Sequence, residues 1–178
     1  IEHVAIIGAG NGGCAAAADL SLRGFEVRLY GRTPATLAPL LARQGVEYEG
    51  VFGEGVAKIG LITNDVAAAM RGADAVIAMA PAHAHEDIAT LIAPHLSKEQ
   101  AFLAAPGQTL TLMPQALRRQ GHSHPVTSVT STLPYICRKT GEGRVRVSRM
   151  SARLRFAAFP AHRGPELAER LTPLFPAL

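Results

Sequence analysis

His3-Val4-Ala5-Ile6-Ile7-Gly8-Ala9-Gly10-Asn11-Gly12-Gly13-Cys14-Ala15-Ala16-Ala17-Ala18-Asp19-Leu20 is the stretch that decides the reading of this chain. An apolar run enters a glycine turn, and the turn opens into a segment of good helix formers. Strand, tight turn and helix form the context in which G-x-G-x-x-G means dinucleotide binding rather than coincidence. Gly8 permits the turn, Gly10 lets the backbone approach a pyrophosphate, and Gly13 lets the helix pack close to the strand. Ala9 completes the turn. Asn11 and Gly12 offer free backbone N–H groups which, with the positive end of the helix, face the phosphates.

Outward from the turn, strands and helices alternate. Gly24 closes the first helix, Phe25–Tyr30 reads as a second strand, and Thr33-Pro34 starts a helix running to about Gln44. Gly45 to Ile62 carries five glycines among β-branched residues, the mark of a small hairpin or irregular strands. A short helix is predicted over Asp65–Arg71 and a buried strand over Ala75–Ala80, ending at Pro81. Then come a helix over Ala84–Leu96, a strand over Ala101–Ala105, a helix over Leu110–Gln120 and a strand over Val126–Thr130. Beyond Gly141 the pattern changes. Val145 and Val147, then Leu154–Phe159, read as two antiparallel edge strands, and Gly164–Leu174 as a final helix. The expected fold is α/β: a Rossmann-type, doubly wound, mostly parallel sheet with helices on both faces and a short antiparallel extension near the C-terminus.

Composition bounds the partners. The 178 residues suit one domain, here 1–178, and 48% hydrophobic against 18% charged residues is an ordinary globular balance. A net charge of +4 includes no polybasic tract. The densest cluster, Arg144, Arg146, Arg149, Arg153 and Arg155, lacks interleaved aromatics and reads as a solvated strand face, so no nucleic acid is expected. No apolar run reaches the ~18 residues of a membrane span, and no signal peptide is visible. A cytoplasmic location is therefore the default expectation. Cys14 and Cys137 have no metal spacing, and Cys14 suits a small buried thiol in the first helix. The chain lacks an initiator methionine, which suggests a trimmed sequence.

Chemistry concentrates at predicted strand ends. In NAD binders an acid about 20 residues past the glycines takes the ribose hydroxyls. Here Tyr30-Gly31-Arg32-Thr33 stands instead. Arg32 can pair with a 2′-phosphate and Thr33 can add a hydroxyl, so NADP is favoured, with NAD the alternative. The competing reading leaves Arg32 stacked on an adenine or in solvent. Ala80, Pro81, Ala82 and His85 follow the next strand, where small residues leave room for a nicotinamide ribose. His85 serves there as a cofactor-side residue or makes only a local hydrogen bond at a helix start. His83 and His85, two apart, do not share a helix face and have no third ligand nearby, so no metal is expected. Pro106 and Gly107 close the following strand on the same crevice. Tyr135 can donate to a substrate carbonyl and Arg138 can clamp a carboxylate. The alternative is that the hydroxyls of Thr127–Thr132 cap their strand and Tyr135 simply packs its ring. There is no nucleophile elbow and no Walker sequence.

At these residues the chain resembles the N-terminal NAD(P)-binding domain of the octopine/nopaline (opine) dehydrogenase family. The GAGNGG turn with its alanine-rich helix, Gly72-Ala73-Asp74 before a strand, Pro81-Ala82…His85, Ala93-Pro94, Pro106-Gly107, and Leu133-Pro134-Tyr135…Cys137-Arg138 carry the likeness. The resemblance implies reductive condensation of an amino acid with a 2-oxo acid, with NAD(P)H delivering hydride to the imine. It also implies a helical C-terminal domain that holds the catalytic histidine and would begin near Leu178, so the catalytic residues are unknown here. The face such a domain would cover makes a homodimer conceivable for this chain alone. Ketopantoate-reductase-like or glycerol-3-phosphate-dehydrogenase-like enzymes, and a non-catalytic NAD(P)-sensing module, are the alternatives.

Overall fold

The structure, a computed structural model, describes residues 1–107, 112–123 and 125–178. In chain order the elements are β1 (His3–Ile7), α1 (Asn11–Leu22), β2 (Glu26–Tyr30), α2 (Pro34–Arg43), β3 (Gly45–Gly50), β4 (Gly53–Lys58), β5 (Leu61–Thr63), α3 (Val66–Met70) and β6 (Ala75–Ala78). They continue with α4 (His85–Ile92), β7 (Ala101–Ala104), α5 (Leu112–Arg119), β8 (Thr127–Thr130), β9 (Tyr135–Gly141), β10 (Arg144–Met150), β11 (Phe156–Phe159) and α6 (Gly164–Leu171). Leu110 and Thr111 of the expected fifth helix lie outside the described residues.

Seven strands form the main sheet in the order β11-β8-β7-β6-β1-β2-β5. All its neighbours run parallel except β11, which lies antiparallel on β8. β1 sits between β2 and β6, so the chain leaves it first to one side and later to the other. That reversal of strand order opens a crevice at the carboxyl end of β1. β6 and β7 are buried at every residue because helices cover both faces, which is why they read as continuous apolar runs. One face packs against α3, α4 and α5, the other against α1 and α6. Fully buried side chains such as Ile6, Ile77, Leu103 and Phe102 each contribute about 1.5–3 kcal/mol.

A second sheet, β4-β3-β10-β9, covers the outer side of α1. Its hairpins come from distant segments: β3–β4 from residues 45–58 and β9–β10 from 135–150, joined by parallel pairing of β3 with β10. α1 is therefore enclosed between two sheets, and residues 12–20 are all buried. A helix apolar on every side is a buried helix, and alanine is the side chain small enough for both sheets to approach.

Two expectations need correction. The Val145–Val147 segment is not an edge strand of the main sheet but an inner strand of the second one. Only β11 forms the antiparallel extension. Periodicity gives a strand's two faces but not its neighbour, because pairing depends on residues far away in sequence. The predicted hairpin in Gly45–Ile62 forms as β3–β4, and the chain then returns to the main sheet as β5.

Candidate functional site

The carboxyl ends of β1, β2 and β6 open into a cavity of about 620 Å³. Gly8, Ala9 and Gly10 form its floor. Tyr30, Gly31, Arg32, Thr33 and Thr36 make one wall, and Ala80, Ala84, Asp87, Ile88 and Leu91 the other. The Gly8 N–H donates to the Tyr30 carbonyl at 2.9 Å and the Gly31 N–H to the Thr63 carbonyl at 3.0 Å, so the sheet itself fixes the cavity's rim.

The glycines of the turn answer to different constraints. Gly8 has φ +119°, and a Cβ there would lie 2.7 Å from the Met79 carbonyl oxygen. A Cβ on Gly13 would stand 1.6 Å from the Gly8 carbonyl oxygen, so α1 crosses the turn this closely only with glycine. One on Gly12 would press on Leu133 at 2.9 Å. Gly10 differs. Its φ of −83° and ψ of −163° suit any residue, and a Cβ would meet nothing within 4 Å. Among the described residues nothing in the fold requires glycine at position 10.

Arg32 and Thr33 project at the start of α2. Thr33 occupies the N-cap position, but its side chain makes no capping bond. Among the described residues the Arg32 guanidinium has no hydrogen-bond or ion-pair partner. Of the other expected cofactor-side residues, Ala80 lines the cavity, while Pro81 and Ala82 form the short turn leading to α4. His85 is 1% exposed at the start of α4, and Pro106 follows β7. Among the described residues neither ring nitrogen of His85 has a hydrogen-bond partner of ordinary geometry. Burial pushes the imidazole below its ordinary value. The backbone of Ala80 and of Pro106 works against that shift, and the His83 charge adds to it.

Two expected substrate residues are not brought to the cavity. Tyr135 is 2% exposed, with its ring edge-on to Phe52 and Phe175 at 6.3 and 6.4 Å and its hydroxyl donating to Asp19 Oδ2 at 2.8 Å. Burial, then the Asp19 carboxylate, pushes the phenol well above its ordinary value, which keeps it a donor. It is a bolt between α1 and the second sheet and cannot reach a substrate. The hydroxyl-rich segment likewise turns inward: Ser128 Oγ donates to the Phe102 carbonyl at 2.7 Å and Thr130 Oγ1 to that of Thr132 at 2.8 Å. Arg138 is exposed and lies opposite Arg146. Strand alternation puts it on the face away from α1.

That alternation brings in Lys139 instead. It lines the cavity, and its backbone N–H donates to Asn11 Oδ1 at 2.9 Å. Sequence reasoning missed it because β9 was not read as a strand, and a lysine two residues after a half-buried Cys137 gives no other signal.

Comparison with known proteins fits this geometry. Residues 3–119 match the family described as NAD-dependent glycerol-3-phosphate dehydrogenase N-terminus. An opine dehydrogenase of Arthrobacter sp. (strain 1C) is 30% identical over 174 residues, which is 97% of this chain and 48% of that protein. The chain thus spans about half the length of that relative. Octopine dehydrogenase in its complex with NADH and pyruvate superimposes with a TM-score of 0.74 at 24% identity, over 89% of this chain and 43% of that one. A PanE/ApbA family ketopantoate reductase from Ralstonia eutropha JMP134 gives a TM-score of 0.72 at 24% identity, over 98% and 53%. Both structural likenesses speak to the fold alone.

Proposed function

The chain belongs to the NAD-dependent glycerol-3-phosphate dehydrogenase N-terminus family, and from that premise we propose that it is the cofactor-binding domain of an NADP-dependent, opine dehydrogenase-like oxidoreductase. A nicotinamide cofactor follows from the family itself. We further propose NADP as that cofactor, the residues named below as its binding set, an amino acid and a 2-oxo acid as substrates, and a helical catalytic domain beyond residue 178.

One observation carries the reading. Gly10 has no steric or conformational reason inside the protein to be glycine, so the reason lies in what enters the cavity beside it. A dinucleotide fits that space. Gly8, Ala9 and Gly10 give its pyrophosphate a floor with no side chain larger than a methyl group, and α1 begins directly after it, where the first N–H groups of a helix have no intrahelical partner and suit an anion. Arg32 and Thr33, with no partner and no capping bond respectively, are free to take a 2′-phosphate. Asp87 is the one acid among the cavity's lining residues, and it stands on the opposite wall. Ile88 and Leu91 beside it offer an apolar surface for the adenine. Ala80, Pro81 and Ala82, with Pro106 across from them, lie where the nicotinamide half would extend. When bound, the cofactor supplies hydride to the imine carbon. This chain's part is to hold the dinucleotide, fix its orientation and exclude water along the apolar wall.

The opine reading is preferred over a glycerol-3-phosphate-type dehydrogenase for a specific reason. The family match stops at residue 119, whereas the likeness to the Arthrobacter enzyme runs through Leu133–Arg138.

Calorimetric titration of the 178-residue chain with NADPH and with NADH tests the proposal. NADPH should bind more tightly, and Gly10→Val should abolish binding of both while leaving the thermal midpoint unchanged. Arg32→Ala should weaken NADPH by roughly 1.5–3 kcal/mol and spare NADH. A Gly10→Val protein with normal affinity would remove the dinucleotide from this cavity. Equal losses for both nucleotides on Arg32→Ala would retire NADP.

A further inference from the structure

Lys139 belongs to the second sheet, yet it faces the cavity of the first. The strand that carries it, β9, is an edge strand, so one row of its backbone groups has no neighbour within the sheet. At Lys139 that row is taken up by Asn11, whose side-chain oxygen accepts the Lys139 N–H at 2.9 Å across 128 positions of sequence. Asn11 is the first residue of α1 and directly follows Gly10. The lysine is therefore anchored at the start of α1, directly after the glycine that floors the cavity. Lys139 lines that cavity together with Gly8, Gly10 and Arg32.

The charges point the same way. Among the described residues neither the Lys139 ammonium nor the Arg32 guanidinium has an ion-pair or hydrogen-bond partner. Two unpaired cations on one cavity repel each other and call for an anion between them. The ammonium also reaches the first turns of α1 electrostatically. Burial pushes the Cys14 thiol up to about 11, and the Lys139 charge is what opposes that rise.

Building on the dinucleotide reading, we propose that Lys139 binds the cofactor's pyrophosphate and that Asn11 is a positioning residue holding it there. The two cations divide the work by their anchoring. Arg32 stands past the end of β2 and takes the 2′-phosphate, whereas Lys139 is tied to the start of α1, over which the pyrophosphate lies. The second sheet then contributes to binding itself rather than only covering α1.

Two fragments separate these roles: ADP, which has a diphosphate and no 2′-phosphate, and 2′-AMP, which has the reverse. Each is titrated against the 178-residue chain by displacement of NADPH fluorescence. Lys139→Met should weaken ADP, NADH and NADPH about tenfold and leave 2′-AMP within twofold. Lys139→Arg, which keeps the charge, should retain ADP binding within a few-fold. Arg32→Ala should show the mirror pattern. Asn11→Ala should weaken ADP, and combining it with Lys139→Met should add no further loss, because both remove one interaction. An unchanged thermal midpoint in Lys139→Met excludes unfolding as the cause. The proposal is overturned if Lys139→Met leaves ADP unchanged or weakens 2′-AMP as much as ADP, while the wild type still binds NADPH. A wild type that binds no dinucleotide overturns the functional reading as well, so the two failures are distinguishable.

Discussion

The two sheets of this molecule are built on opposite principles, and α1 lies between them. The main sheet is built around β1, β6 and β7, parallel neighbours whose apolar runs are buried almost throughout. Its closest approach to α1 is made by backbone, at Gly8 and Gly13. The second sheet joins hairpins about ninety residues apart, exposes one face, and is tied to α1 through three α1 side chains: Asp19 to Tyr135, Asn11 to Lys139 and Ser21 to the Lys58 carbonyl. One sheet is fixed by sterics that a single added methyl group destroys. The other is fixed by a few hydrogen bonds that can be cut singly. Only the second arrangement lets a strand carry a functional side chain to the rim of a site that another sheet has built.

That contrast predicts a hierarchy of damage. Gly13→Ala should be the most severe change. Its Cβ would overlap the Gly8 carbonyl at 1.6 Å and push α1 away from both sheets, costing about 3 kcal/mol or more. Denaturant unfolding should show a large fall in midpoint, and a near-normal midpoint would mean that the main sheet tolerates movement at its tightest junction. Tyr135→Phe should come next, at about 2 kcal/mol. It leaves the buried Asp19 carboxylate with Arg23, at 3.4 Å, as its remaining side-chain partner. Hydrogen exchange should show the loss confined to β9 and β10, with β1 and β6 still protected. Uniform loss would show that the sheets unfold as one unit and would break the comparison.

A smaller effect should appear with pH. His85 is held neutral by burial on the main-sheet side, with its folded value below the ordinary 6.5. The unfolded chain takes up a proton near pH 6.5 that the folded chain resists. This contribution to stability is therefore complete above pH 6.5 and is lost as pH falls below it. Its slope should reach at most about 1.4 kcal/mol per pH unit. Thermal midpoints measured from pH 7 to pH 5.5 should drop in the wild type and stay flatter in His85→Gln. Parallel curves for the two proteins would assign the drop to other groups.

These effects also sort what could be read from the sequence. The glycine turn, the β-α alternation and the position of Arg32 on the crevice were legible because each depends on neighbours within about thirty residues, where backbone geometry and periodicity act directly. Tyr135 read equally as a substrate donor or a packed ring, because a tyrosine after a strand looks the same whether its hydroxyl meets solvent or a buried Asp19, and the structure shows the packed ring. Lys139 was invisible for the same reason, since its meaning rests on a bond to Asn11 made across most of the chain.

By itself, then, the sequence determined that a strand, a glycine turn and a helix would make a crevice floored by backbone, because φ/ψ freedom and close approach are properties of the glycines themselves. What only the tertiary structure decided was which distant side chains reach that crevice. β9 presents Lys139 there and turns Arg138 away, because register and the packing of a second sheet on α1 are set by contacts that no local pattern encodes.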